Sequence, residues 1–114
     1  MHYTVLGSSG FIGKHVAEAL RCRGYAPFCP GREEDTSRRD LGTVFYCIGL
    51  TADFRQRPLE TVDAHVCMLN SLLCRATFER IIYLSSTRVY GGLNGPVNEG
   101  ARLAVNPNDP SDLY

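Results

Sequence analysis

Gly7-Ser8-Ser9-Gly10-Phe11-Ile12-Gly13 stands between a short apolar run, Tyr3 to Leu6, and a stretch with helical periodicity. A strand, a glycine turn and a helix in that order make the opening unit of a fold that holds the diphosphate of a dinucleotide. The chemistry follows from the backbone. Gly7 permits the tight exit from the strand, Gly10 lets the main chain approach a phosphate with no Cβ in the way, and Gly13 lets the helix pack close on the sheet. The unpaired N–H groups and the positive end of the helix then face the anion. Glycines at this spacing also occur in ordinary turns, and the neighbouring residues separate the two readings. Tyr3, Val5 and Leu6 read as β. Ile12, Val16, Ala19, Leu20 and Arg23 recur at helical spacing as an inward face, and Gly24 closes the helix. Gly7, Ser9, Gly10, Phe11, Ile12 and Gly13 are the candidate diphosphate contacts.

The rest of the chain repeats the alternation. The pattern predicts β at 2–6, helix at 11–23, β at about 26–29 and a polar stretch at 31–42. A further β run, Thr43 to Ile48, ends at Gly49. A loop then leads to Pro58, which suits the first turn of a helix. That helix is expected over 59–76 with Val62, Val66, Leu69 and Leu73 inward, followed by a buried strand over 80–85. From Gly91 glycine, asparagine and proline make a long loop, with Asp109 or Ser111 able to cap another helix. Strands alternating with helices imply an α/β fold with a Rossmann-like parallel sheet flanked by helices, its strand order starting with the second strand beside the first.

Composition narrows the function. The 114 residues are one domain's worth, and a hydrophobic content of 44% supports a packed core. Twelve basic residues balance twelve acidic ones, so nothing in the charge calls for nucleic acid or an anionic membrane. No apolar run approaches the length of a membrane span and no signal peptide leads the chain, so a cytoplasmic location is expected. The five cysteines form no C-x-x-C pair, and reduced thiols are expected. His2, His15 and His65 do not cluster with cysteines or carboxylates at ligand spacing, so no metal site is expected.

A dinucleotide site usually carries a carboxylate at the end of the second strand to bind the adenosine ribose. Here that place holds Gly31 and Arg32. A glycine leaves room for a 2′-phosphate and a guanidinium can bind it through paired hydrogen bonds, so NADP is favoured over NAD. The alternative is a solvated Arg32, with Glu33 or Glu34 on the ribose. At the other end of the sheet, Ser85 and Ser86 leave the last strand, where hydroxyls can meet a substrate oxygen or satisfy their own backbone.

Four stretches together resemble the N-terminal portion of the extended short-chain dehydrogenase/reductases, the NAD(P)-dependent nucleotide-sugar epimerases and dehydratases. They are the glycine turn, Val44-Phe45-Tyr46-Cys47-Ile48-Gly49-Leu50, the Ser-Ser-x-x-Val-Tyr-Gly stretch from Ser85, and Asn106 to Tyr114. The resemblance runs the length of the chain and implies a catalytic Ser86, with Thr87 as the neighbouring alternative, and a catalytic Tyr114. It places Cys47, Ile48 and Gly49 beside the cofactor. It implies a lysine four residues beyond Tyr114; the one lysine here, Lys14, sits on the first helix instead. A phenol with a pKa near 10 is a poor base at neutral pH, and a nearby ammonium favours its phenolate.

Three departures stand out. The stretch between the second strand and Thr43 lacks room for the helix and strand usual there. Cys47-Ile48-Gly49-Leu50 replaces a common His-Leu-Ala-Ala. His65 stands where an asparagine is frequent, and a core or capping role is the plainer reading for it. Arg55 and Arg57 read as solvated loop residues. The expectation is therefore a truncated cofactor-binding domain over 1–114, inactive alone, from an oxidoreductase acting on a nucleotide-linked sugar. Its last strand would be an exposed edge that pairs with another copy, swaps segments or aggregates when isolated, and a homo-oligomer is expected. Two other readings remain open at this point: a non-catalytic NADP-sensing module, and a flavin- or nucleotide-binding α/β domain.

Overall fold

The computed structural model of the chain describes residues 1–50, 53–86, 90–91, 93–103 and 108. Three parallel strands form one sheet in the order β1 (Tyr3–Leu6), β2 (Thr43–Tyr46), β3 (Arg80–Tyr83). Helix α1 (Phe11–Cys22) connects β1 towards β2. Between β2 and β3 run α2 (Pro58–Val62), a π-helical segment (Asp63–Cys67) and α3 (Met68–Arg75) without a break. Tyr3 pairs with Thr43, and Thr43 in turn with Arg80, so the three strands start level.

Strand alternation sorts the core into two layers. Val5 packs with Ala17 and Leu20 of α1, and Tyr3, Val16, Phe45 and Cys47 close around them. On the opposite face Leu6, Val44 and Tyr46 pack with Leu72 of α3 and with Leu41, and Ile48, Leu69, Phe78 and Ile81 complete that cluster. The molecule is thus helix, sheet, helix, the arrangement the alternation of elements implied.

The expected strand at about 26–29 is reduced to a single parallel bridge between Phe28 and Thr4. Phe28 donates to the Tyr3 carbonyl and accepts from the Val5 amide, at 2.8 and 2.9 Å. The order of second strand beside first survives, but only as one rung. Pro27 and Pro30 flank that rung and have no N–H to extend the ladder. The polar stretch ends in a buried anchor. Leu41 is fully buried, its amide donates to the Thr77 carbonyl at 2.8 Å, and its carbonyl accepts from the Thr4 hydroxyl at 2.8 Å. Those two bonds satisfy polar groups that burial would otherwise penalise.

The inward faces of the helices only partly follow the hydrophobic periodicity: Leu20, Val16 and Leu69 pack inward as expected, and the other expected positions do not. In α1 the buried residues are Gly13, Ala17 and Leu20, while Ile12 is 51% exposed and Ala19 and Arg23 face solvent. Along the second helical run the buried residues are Thr61, Ala64 and Leu72, while Val62, Val66 and Leu73 are exposed and Leu69 is half-buried. Thr61 enters the core because its hydroxyl finds the carbonyls of Arg57, at 2.8 Å, and Phe54. With that bond made, a threonine costs little to bury, and the valines are turned outward. Phe54 itself is buried, a core residue that the loop reading overlooked.

β3 corrects a further expectation. It is not a buried strand: Ile82 and Tyr83, with Leu84 just beyond, stay about two-fifths exposed. Register puts Ile82 level with Phe45 on the α1 side, and α1 does not extend across it. The strand is the exposed, half-covered edge that the sequence also implied.

Candidate functional site

The carboxyl ends of β1 and β2 and the N-terminus of α1 meet at the glycine turn. Gly7 has φ +78°, in the left-handed region. A Cβ there would stand 2.8 Å from the Cys47 carbonyl oxygen, so the turn presses directly on the strand exit that the resemblance places beside a cofactor. The Cys47 amide donates to the Leu6 carbonyl at 3.0 Å and joins the two exits. A Cβ on Gly13 would meet the Gly7 carbonyl oxygen at 2.2 Å, so it is the turn itself, more than the sheet, that crowds Gly13. At Gly10 only the Gly7 oxygen comes near, at 3.3 Å, and its outer side is open.

The amides of this turn are poised for an anion. Gly10 donates to the Gly7 carbonyl at 3.0 Å, and Lys14 to the Gly10 carbonyl at 2.9 Å. Among the described residues nothing accepts from the amides of Phe11, Ile12 or Gly13, and no side chain caps the helix. No acidic residue stands in the first turn of α1. The first N–H groups of a helix carry its positive end, and here Ser9, Phe11 and Ile12 are exposed while Gly13 is buried behind them. These groups suit a diphosphate on geometry and on charge.

Arg32 lies in the exposed stretch after the Phe28 bridge, and among the described residues nothing pairs with its guanidinium. Glu34 is engaged locally: its carboxylate accepts from the Gly31 amide at 3.2 Å and its amide returns a bond to the Gly31 carbonyl. Arg57 is also engaged, with Asp53 at 3.5 Å and Glu60 at 3.6 Å, and Arg55 lies over the Phe54 ring. Ser86 is half-buried just past β3. Thr87 and Tyr114 lie outside the described residues.

Cys47 is half-buried and burial pushes its thiol up, which disfavours a thiolate nucleophile. None of the five cysteines is paired in a disulfide. No group of three or more metal-ligating side chains occurs among the described residues, and no helix among them is long and apolar enough to cross a membrane.

Beside the turn lies a cluster that spacing alone did not assemble. The His65 ring fills the hollow over Gly49, where an added Cβ would stand 2.6 Å from its Cε1. The Leu50 amide donates to His65 Nε2 at 3.2 Å, and Nδ1 lies 3.0 Å from the Tyr83 hydroxyl. Tyr83 stacks on Tyr46 with ring centres 5.7 Å apart, and the Tyr46 hydroxyl donates to the Ala64 carbonyl in the π segment. The space at Gly49 is therefore taken by the imidazole. Gly49 and His65, two separate departures from the pattern the sequence resembles, are one contact in space.

Burial, with smaller contributions from Tyr83 and Asp63, pushes the Tyr46 phenol from 10.0 up to about 12. The folded value is raised above the unfolded one, so this contribution to stability is whole below pH 10 and is lost as pH rises through about 12. A Tyr46→Phe variant should lose less stability than the wild type across that window, as read by urea unfolding at stepped pH.

Comparison with protein-family models, with curated proteins and with solved structures finds no match to this chain.

Proposed function

We propose that this chain is the dinucleotide-binding part of an NAD(P)-dependent oxidoreductase of the nucleotide-sugar epimerase/dehydratase type. The observation that carries the proposal is the glycine turn. Three amides without acceptors among the described residues stand at the start of a 12-residue helix, beside the carboxyl ends of two paired parallel strands. That is the place where ligands of open α/β sheets bind.

The residues take the following parts. The backbone of Gly7, Ser9, Gly10, Phe11, Ile12 and Gly13 would hold the diphosphate. Cys47, Ile48 and Gly49 would line the cofactor where β2 ends. Arg32, exposed and free of any pairing among the described residues, would bind a 2′-phosphate, and Glu34's engagement with Gly31 supports NADP over NAD. When bound, the nicotinamide supplies hydride acceptance and return. Ser86 would orient the sugar oxygen, and Tyr114 would take and give back its proton. The exposed stripe Leu59, Val62, Val66 and Leu73 supports assembly with a second copy, since it leaves apolar surface on water.

Titration of the protein with NADPH and NADH, followed through its amide resonances, tests this reading. Saturating NADPH should shift the amides of residues 7–13. Replacing Arg32 with alanine should weaken NADPH about tenfold, the loss of one charge-assisted hydrogen bond, and leave NADH nearly unchanged. Equal weakening of both would remove Arg32 from the adenosine end. If neither nucleotide moves the turn, the dinucleotide reading fails. A non-catalytic NADP-sensing module is the rival; it predicts the same shifts, and only the oxidoreductase reading predicts hydride exchange between NADPH and a nucleotide-linked ketosugar once this part is joined to a substrate-binding part.

A further inference from the structure

We propose that His65 is a positioning residue of the dinucleotide site, a latch that holds the Leu50 amide and so sets the backbone at the end of β2. The inference rests on the cofactor reading above and assigns that site a residue from across the sheet.

Three observations converge on the imidazole. First, Nε2 accepts from the Leu50 amide at 3.2 Å, and a ring nitrogen that accepts carries no proton. The neutral ring then holds its proton on Nδ1, which faces the Tyr83 oxygen at 3.0 Å and donates to it. Two of its partners, the Leu50 amide past the end of β2 and the Tyr83 hydroxyl of β3, thus set the tautomer. Second, the ring can reach Leu50 only because residue 49 has no side chain. A Cβ there would lie 2.6 Å from Cε1 and 2.9 Å from Nε2. Third, the far side is braced. Tyr83 stacks on Tyr46, which is almost fully buried and bonded to the Ala64 carbonyl, next to His65 in the π segment. Such segments recur where a helix is adapted to a local task.

The consequence reaches the glycine turn through contact. A Cβ on Gly7 would stand 2.8 Å from the Cys47 carbonyl oxygen and 3.0 Å from the Ile48 nitrogen, and the Cys47 amide donates to the Leu6 carbonyl at 3.0 Å, so the Cys47–Leu50 backbone links the latch to the turn. Releasing the Leu50 amide loosens one wall of the proposed cofactor site without altering any residue that would touch the cofactor through its side chain.

The test uses the full chain labelled with nitrogen-15. Long-range proton–nitrogen spectra should show His65 protonated at Nδ1 and bare at Nε2. Hydrogen exchange of the Leu50 amide should be slow in the wild type and about tenfold faster in both His65→Ala and Gly49→Ala. Each variant should weaken NADPH about tenfold, and the double variant should weaken it no further, because both changes remove the same contact. Tyr83→Phe keeps the ring packing and should fold normally; it should retain NADPH binding within about threefold while the tautomer signature becomes mixed. Wild-type NADPH binding with unchanged affinity in His65→Ala and Gly49→Ala overturns the latch and leaves the cofactor reading intact. An Nε2-protonated ring, or additive losses in the double variant, overturns it as well. A wild type whose turn ignores NADPH is the separate failure of the cofactor reading, and the latch's role at that site falls with it.

Discussion

Alanine at position 13 should cost about 3 kcal/mol of stability and abolish dinucleotide binding in whatever fraction still folds. The new methyl would stand 2.2 Å from the Gly7 carbonyl oxygen, 2.7 Å from its carbon and 3.0 Å from the Ser8 Cα. All three are main-chain atoms, so no side chain can swing aside. Relief requires α1 to back away from the turn, which uncovers Ala17 and Leu20 from Val5 and spreads the three amides proposed to hold the diphosphate. Against a typical domain stability of about 5–15 kcal/mol this is a large loss. Gly24→Ala is the control. Gly24 has φ +83° and nothing within 4 Å of its Cβ position, so it tests the left-handed backbone alone and should cost about 1 kcal/mol. Urea unfolding of the two variants, with NADPH titration of each, checks the pair. Equal costs at 13 and 24 would mean that the helix start is not wedged against the turn.

Gly42→Ala should destabilise by about 3 kcal/mol as well, yet leave NADPH affinity per folded molecule unchanged. Gly42 combines both penalties. Its φ is +59°, and a Cβ would meet the His2 carbonyl oxygen at 2.3 Å. That oxygen accepts from Thr43, and the Gly42 carbonyl accepts from Glu79 at 2.9 Å and Arg80 at 3.3 Å. The residue therefore ties the starts of all three strands. Moving it strains the first rungs of both strand pairs at the end of the sheet away from the glycine turn. Unfolding curves should shift while the midpoint of NADPH titration holds. A matching loss of affinity would show that the two ends of the sheet are coupled, against this account.

The two glycines differ in how readable they were. Gly13 belongs to a local pattern: strand, turn and helix within a dozen or so residues, each glycine with a backbone task at a known offset. Gly42 sits at the end of a polar stretch with no local motif, and besides its φ of +59° its need for a bare Cα comes from His2, 40 positions back in the chain. The same division runs through the site. Spacing and turn chemistry identified residues 7–13 and the helix start at Pro58. Neither could join Gly49 to His65, because their contact depends on how the helical run is rotated over the sheet. Periodicity places Leu69 on the core correctly, but not Val62, Val66 and Leu73. The run carries apolar residues on two neighbouring stripes, and a hydrophobic pattern does not say which stripe meets the sheet. The hydroxyl of Thr61, bonded to the Phe54 and Arg57 carbonyls, turned the other stripe to water.

What the chain settled on its own was local. A bare-Cα turn followed by a helix places amides at a strand end whatever surrounds it, because φ and ψ, the cap and the free N–H groups are set by residues adjacent in sequence. The tertiary structure alone decided which helix face is buried, that Leu41 and Phe54 belong to the core, and that an imidazole occupies the hollow over Gly49. Those outcomes depend on atoms brought together from distant positions, where close packing and the satisfaction of buried polar groups outweigh the hydrophobicity of any one residue.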